Sequence, residues 1–156
     1  MNKLILLVGI LLSQVLIGQN SKYLSFELAG SGGIASFNYE SSFHSRKSNT
    51  LYYRLGFSLA PIDRNNGTAL VFPLMLHTNI GQKAHKLDLG IGQTVSITTK
   101  GHIFFLMPVS IGYRFQPENK RHYWRIAYTP IVSYLINFQW QHWAGITYGF
   151  QLSSKK

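Results

Sequence analysis

The segment that decides the fold is YYRLGFSLAP, residues 52–61, in which an arginine stands inside a run that otherwise reads as buried strand. Successive side chains of a strand point to opposite faces. Leu51, Tyr53, Leu55, Phe57 and Leu59 therefore share one face, and Tyr52, Arg54, Gly56, Ser58 and Ala60 share the other. The same division returns in KLDLGIG around Asp88 and in YWRIAYTP around Arg125, each just after a short polar turn.

Working outward, period-two alternation enriched in Tyr, Phe, Val, Ile and Thr fills the chain, and no stretch after the N-terminus carries an i, i+3, i+4, i+7 stripe. Eight strands are expected, at roughly 22–30, 33–43, 51–61, 69–81, 86–99, 103–116, 122–133 and 142–152. Most of these match the 9–11 residues of a tilted membrane strand and exceed the five or six usual in soluble sheets. Leu24, Phe26 and Leu28 oppose Ser25, Glu27 and Ala29; Phe37, Tyr39 and Phe43 oppose Asn38, Glu40 and Ser42. Val109, Ile111, Tyr113 and Phe115 oppose Ser110, Gly112 and Arg114, while Trp124, Ile126 and Tyr128 oppose Arg125, Ala127 and Thr129.

One face is thus large, apolar and uncharged. The other is built of Gly, Ala, Ser and Thr and carries Glu27, Glu40, Arg54, Asp88, Arg114 and Arg125. A soluble barrel has the opposite polarity, with large apolar residues lining a cavity. In lipid the outer band must be apolar, and the strands must close because an unpaired edge leaves backbone groups unsatisfied. The fold expected is all-β: an eight-stranded antiparallel up-and-down transmembrane β-barrel. Three arginines against three carboxylates make a balanced inward set. They are expected to form an ionic network that fills the lumen near its periplasmic end, with Arg54 and Asp88 energetically coupled.

Residues 1–19, MNKLILLVGILLSQVLIGQ, have the order of a cleavable signal peptide, with Lys3 ahead of an apolar run that Ser13 and Gln14 interrupt. The run is short against the ~20 apolar residues of a spanning helix. Residues 20–156 are then one barrel domain. The chain has no cysteine, which leaves neither a lipid-anchor site nor disulfides. Its formal charge of +10, from 15 basic and 5 acidic residues, suits an anionic partner. Export argues against nucleic acid and points to outer-membrane lipid and lipopolysaccharide phosphate.

The connections fall into two sets. HSRKSNT, GQKAHK and PENKRH are polar and basic; PIDRNNGT, TTKGH and the more apolar SYLINFQWQ alternate with them. With the N-terminus left in the periplasm, the basic turns face the periplasm and the others face outward. The first connection, GSGG, is short for an outer loop.

GYRF (112–115), WAGITYGFQL (143–152) and the Gly or Arg residues of the inner face resemble those of the small eight-stranded outer-membrane barrels of the OmpA and OmpX type, over nearly all of residues 20–152. The last strand, with Ala144, Ile146, Tyr148, Phe150 and Leu152 outward, is similar to the signal by which such barrels engage the barrel assembly machinery, although SSKK follows it where the family ends on an aromatic. The resemblance also implies a possible chemistry, because some barrels of this size are lipid A deacylases or palmitoyl transferases that use Ser, His and an acid. His77, His102 and His142 are the candidates here, yet none has an acidic residue close in sequence or a hydrolase motif. His44, His85 and His122 lie in or beside the basic turns, where solvated polar residues are ordinary.

The histidines have no paired spacing for a metal, and the Gly-rich stretches lack the GK[ST] of a phosphate loop, so no metal and no cofactor is expected. Pro73, Pro108 and Pro130 lack a ladder donor and are expected at bulges or strand ends. Trp124, Trp140, Trp143, Tyr53, Tyr113, Tyr123 and Tyr148 are expected in interfacial girdles. The seventh connection is more apolar than solvation requires, which makes Phe138 and Trp140 the expected loop contacts for any ligand. The function expected is structural or surface-interacting, without an open pore. A barrel enzyme acting on membrane lipid and a soluble exported lipocalin-like binder are the alternatives.

Overall fold

The computed structural model describes residues 21–46, 48–63, 67–133 and 138–153. The expected signal peptide, 1–19, and residues 134–137 of the seventh connection lie outside the described residues. The strands are β1 (Lys22–Gly30), β2 (Gly33–Arg46), β3 (Asn49–Asp63), β4 (Gly67–Gln82), β5 (His85–Thr98), β6 (Ile103–Phe115), β7 (His122–Tyr128), β8 (Ile131–Ser133), β9 (Gln139–Gln141) and β10 (Ala144–Ser153).

Strands β1 to β7 pair antiparallel in sequence order, β8 pairs with β6 and β9, β10 pairs with β7 and β1, and the sheet closes on itself. Beside β6, the register Ile111↔Tyr128 continues unshifted into Pro108↔Ile131. Likewise Ala144↔Tyr128 continues into Ile131↔Gln141. Strands β7 and β8 are therefore one stave of the wall and β9 and β10 another, giving a closed eight-stranded antiparallel barrel.

The prolines account for the interruptions. Pro130 separates β7 from β8, and the ladder lapses without changing register opposite Pro73 in β3–β4 and beside Pro108 in β5–β6. A residue with no N–H removes one rung and leaves its neighbours aligned. The expected bulges are thus missing rungs, two of them within strands. All three prolines are buried, Pro73 and Pro108 on the inner face.

Leu24, Phe26, Phe37, Leu55, Leu74, Ile91, Ile111 and Ile126 face outward across the middle of the wall. Tyr39, Tyr53, Tyr113, Trp124 and Tyr148 ring the outside near the mouth where the chain enters, with the Trp124 and Tyr148 rings 4.8 Å apart. Tyr128 and Trp140 lie outside near the far mouth. An apolar band between two aromatic belts is the surface that a bilayer selects. Tyr123 departs from the girdle expectation: it is fully buried in the lumen, because on β7 it shares the inward side with Arg125 and Ala127.

The lumen has two layers. Toward the far mouth it is packed by Val71, Pro73, Met75, Pro108 and Ile131. Its remaining length is polar and charged. The first hairpin turn folds inward: Ala29 takes the left-handed conformation at φ 54°, alternation breaks, and Gly30, Ser31 and Gly32 are all buried. Only glycine fits at position 32, where a Cβ would lie 2.6 Å from that of Ser36. The turn reaches the opposite wall, Thr94 Oγ1 donating to the Ser31 carbonyl at 3.4 Å. A connection too short for an outer loop is thus long enough to tuck inside.

Candidate functional site

All six inward charges predicted from alternation have exposures of 2% or less, and their guanidinium and carboxylate groups meet. Glu27 stands at the junction. It accepts a hydrogen bond from Arg125 Nη2 at 2.7 Å on one oxygen, and Arg54 Nη2 stands 2.8 Å from the other as an ion pair without hydrogen-bond geometry. Ser31 and Thr147 hydroxyls donate to the same carboxylate at 3.2 and 3.3 Å. Arg125 continues to Asp88 through Nη1 at 2.9 Å. Asp88 also accepts from the Tyr52 hydroxyl and from His77 Nδ1, the latter at 2.9 Å.

The second branch runs from Arg54 to Glu40, Nε to Oε1 at 3.8 Å, a coulombic contact without hydrogen-bond geometry. Glu40 receives Arg114 Nη1 at 3.0 Å, Ser25 Oγ at 3.1 Å and the Tyr123 hydroxyl. Arg114 lies over Tyr123, its guanidinium carbon 3.4 Å from the ring centroid, and it is flanked by Tyr23 and Tyr52. Each carboxylate is therefore held by both charge and hydrogen bonds, the condition under which buried ions are tolerated.

The network is longer than a plug at one end. It begins at Gln116, near the mouth ringed by the basic turns, and reaches Ser31 of the tucked turn. Arg54 and Asp88 make no direct contact; Glu27 and Arg125 stand between them.

His77, a candidate catalytic residue by sequence, belongs to this network, and its alternation with Val71, Pro73, Met75 and Asn79 already puts it inward. Its ring lies over Gly90 of β5 and stacks on Tyr52, with centroids 5.0 Å apart. The far nitrogen, Nε2, has no hydrogen-bond partner among the described residues, and neither does Ser110 Oγ. His102 is exposed in the β5–β6 turn, and His142 is exposed on the outer surface beside the Tyr128 hydroxyl. Phe138 is 75% exposed, whereas Trp140 lies in β9, paired with Val132, and is not a loop residue. No group of three or more His, Cys, Asp or Glu fit to hold a metal ion occurs among the described residues.

No protein-family model and no curated protein matches the sequence. Among solved structures the barrel is similar to the N-terminal β-barrel domain of Pseudomonas aeruginosa OprF, with a TM-score of 0.57 over 85% of this chain and 96% of that one, at 9% identity. The fold is that of the small OmpA-type barrels. At that identity the likeness concerns architecture alone. In an OmpA-type barrel of eight strands the interior is just wide enough for side chains to fill. Here the filling consists of alternating cations and carboxylates bonded across the lumen between β1, β2, β3, β5, β6 and β7. Such an arrangement cross-links the wall and leaves Tyr52, Tyr123, His77 and Thr147 as its hydrogen-bonding edges.

Proposed function

We propose that this protein is a non-conducting outer-membrane barrel with a structural or surface-interaction role, its lumen filled by the ionic network and capped by the tucked first turn. The observation that carries the proposal is the Arg54–Glu27–Arg125–Asp88 chain, which crosses the interior with every member at 1% exposure or less. The outward face supports a membrane setting, since Phe37 at 69% and Ile126 at 62% exposure need an apolar surround. Outer-membrane lipid and lipopolysaccharide are the partners this face fits, and the alternating last strand fits delivery by the barrel assembly machinery. A lipocalin-like binder would carry those large apolar side chains inside. A lipid-acting enzyme would draw on the His77–Asp88 pair, but that imidazole is sealed in the lumen beside Arg125, where it serves the network.

Planar-bilayer recording of the purified barrel tests the proposal, alongside gel migration with and without boiling. Expected are a boiling-dependent mobility shift and no conductance steps from the native protein, with steps appearing in the Glu27→Ala/Arg125→Ala variant. Regular conductance from the native barrel would overturn it.

A further inference from the structure

The network ends below a cavity of about 350 Å³ at the mouth ringed by the basic turns, and that cavity has more cations than the network uses. Five basic side chains, Arg46, Lys83, Lys86, Arg114 and Lys120, line it, against Glu40 and Glu118. Glu40 is already taken by Arg54, Arg114 and Tyr123.

The floor carries the decisive arrangement. Lys86 and Arg114 are direct cross-strand partners on β5 and β6, and Arg125 is the next partner in the same row. Like charges placed directly opposite destabilise a sheet. Arg125 is compensated by Glu27 and Asp88, and Arg114 by Glu40, but no carboxylate lies within 4 Å of Lys86 among the described residues. Lys86 Nζ instead reaches Gln116 Oε1 at 3.5 Å, the same oxygen that accepts Arg114 Nε at 3.2 Å. One neutral amide thus serves two cations. Gln116 is itself fixed by donating to the Tyr23 hydroxyl at 2.6 Å.

We infer that this vestibule is a binding site for an oxyanion, phosphate or carboxylate, carried on a polar, hydroxyl-rich ligand. Lys86 and Arg114 bind the anion, and Arg46, Lys83 and Lys120 draw it in. The Asn, Ser and Thr side chains of the wall suit the hydroxyls of a sugar or a headgroup. The volume is that of a small-ligand site. The site shares Arg114 with the end of the lumen network but opens at the mouth, so it stands whether or not the barrel conducts.

The test is calorimetric titration of the refolded barrel in neutral detergent micelles with inorganic pyrophosphate, against an uncharged disaccharide. Lys86→Gln tests the floor and Lys100→Gln, in the β5–β6 turn at the far mouth, is the control. Retained boiling-dependent migration verifies that each variant folds. Pyrophosphate is expected to bind, with affinity falling as salt rises and falling about tenfold in Lys86→Gln, the loss of one charge-assisted contact. The Lys100→Gln variant should match the native protein, and the disaccharide should bind far more weakly. Repeating the titration with phosphatidylglycerol in the micelles separates the sources: competition assigns the site to a lipid headgroup, and its absence to a soluble oxyanion. The inference is overturned by an absence of pyrophosphate binding, or by equal loss in Lys86→Gln and Lys100→Gln, which would mark a general charge effect. A second readout is the side-chain amide resonance of Gln116, which should move on titration in the native protein.

Discussion

Glu27 is the carboxylate through which the two branches of the lumen join, and a double-mutant cycle between Glu27 and Arg125 measures that junction. Each residue is 1% exposed, and their charged atoms are 2.7 Å apart. Removing one partner of a buried ion pair costs about 3–5 kcal/mol, because the other charge is left stranded. Arg125→Met leaves Glu27 with Arg54 at 2.8 Å but also takes the arginine from Asp88, which keeps only His77 and the Tyr52 hydroxyl, so its cost belongs in the middle of that range. Glu27→Gln takes a partner from two arginines at once, leaving Arg54 only Glu40 at 3.8 Å, and belongs near the upper end. The double variant should be destabilised by less than the sum of the singles, by about 1.5–3 kcal/mol, since the second removal no longer strands the other member of the pair. Arg54 and Asp88, which do not touch, should couple by under about 1 kcal/mol, transmitted through Glu27 and Arg125. Equilibrium urea unfolding from lipid vesicles, followed by tryptophan fluorescence, measures both cycles. If the Glu27 and Arg125 costs add to within about 0.5 kcal/mol, the side chains are independent contacts and the network argument fails.

Phe37→Arg, on the exposed middle of β2, should cost about 2–4 kcal/mol in vesicle unfolding, as expected at a bilayer midplane; a neutral result would remove the membrane assignment of this face. Ala29→Gly should stabilise the barrel by about 0.5–1 kcal/mol in the same assay, because glycine relieves the left-handed strain at φ 54° but loses more chain entropy on folding. Tyr123→Phe should cost about 1–3 kcal/mol for the hydrogen bond lost to Glu40, and Tyr123→Leu more, since it also removes the ring beneath Arg114; equal midpoints for the two would mean that the cation–ring contact contributes nothing.

The inward face was legible because strand period is an integer: once Arg54 is placed opposite Leu55, the faces of the whole strand follow, and six charged residues sort with it. Tyr123 and His77 obey the same rule, but residue type weighed more heavily than alternation, assigning the tyrosine to a girdle and the histidine to chemistry. Which charges meet was not legible. Glu27 and Arg125 are 98 positions apart, and their contact depends on how the closed wall is staggered, which no local pattern encodes. The inward tuck of GSGG was likewise hidden, because it depends on a left-handed alanine, and alanine carries no sequence signal for that conformation.

The span of these contacts along the chain bears on how the barrel comes together. Ser31 reaches Thr94 across 63 positions, Glu27 reaches Arg125 across 98, and Thr147 reaches Glu27 across 120. The β6–β7 hairpin carries Arg114 and Arg125 side by side, and their carboxylates all come from other strands, so a half-built sheet would carry stranded ions as well as open edges into the lipid. Contacts of such separation make folding slow and favour a transition in which most staves are already present. The seam between β1 and β10 is then the step at which Glu27 meets Thr147 and Arg125, and wall closure and charge pairing become a single event. For a chain of this kind the ionic interior is a timing device as much as a filling, since it withholds stability until the circle is complete.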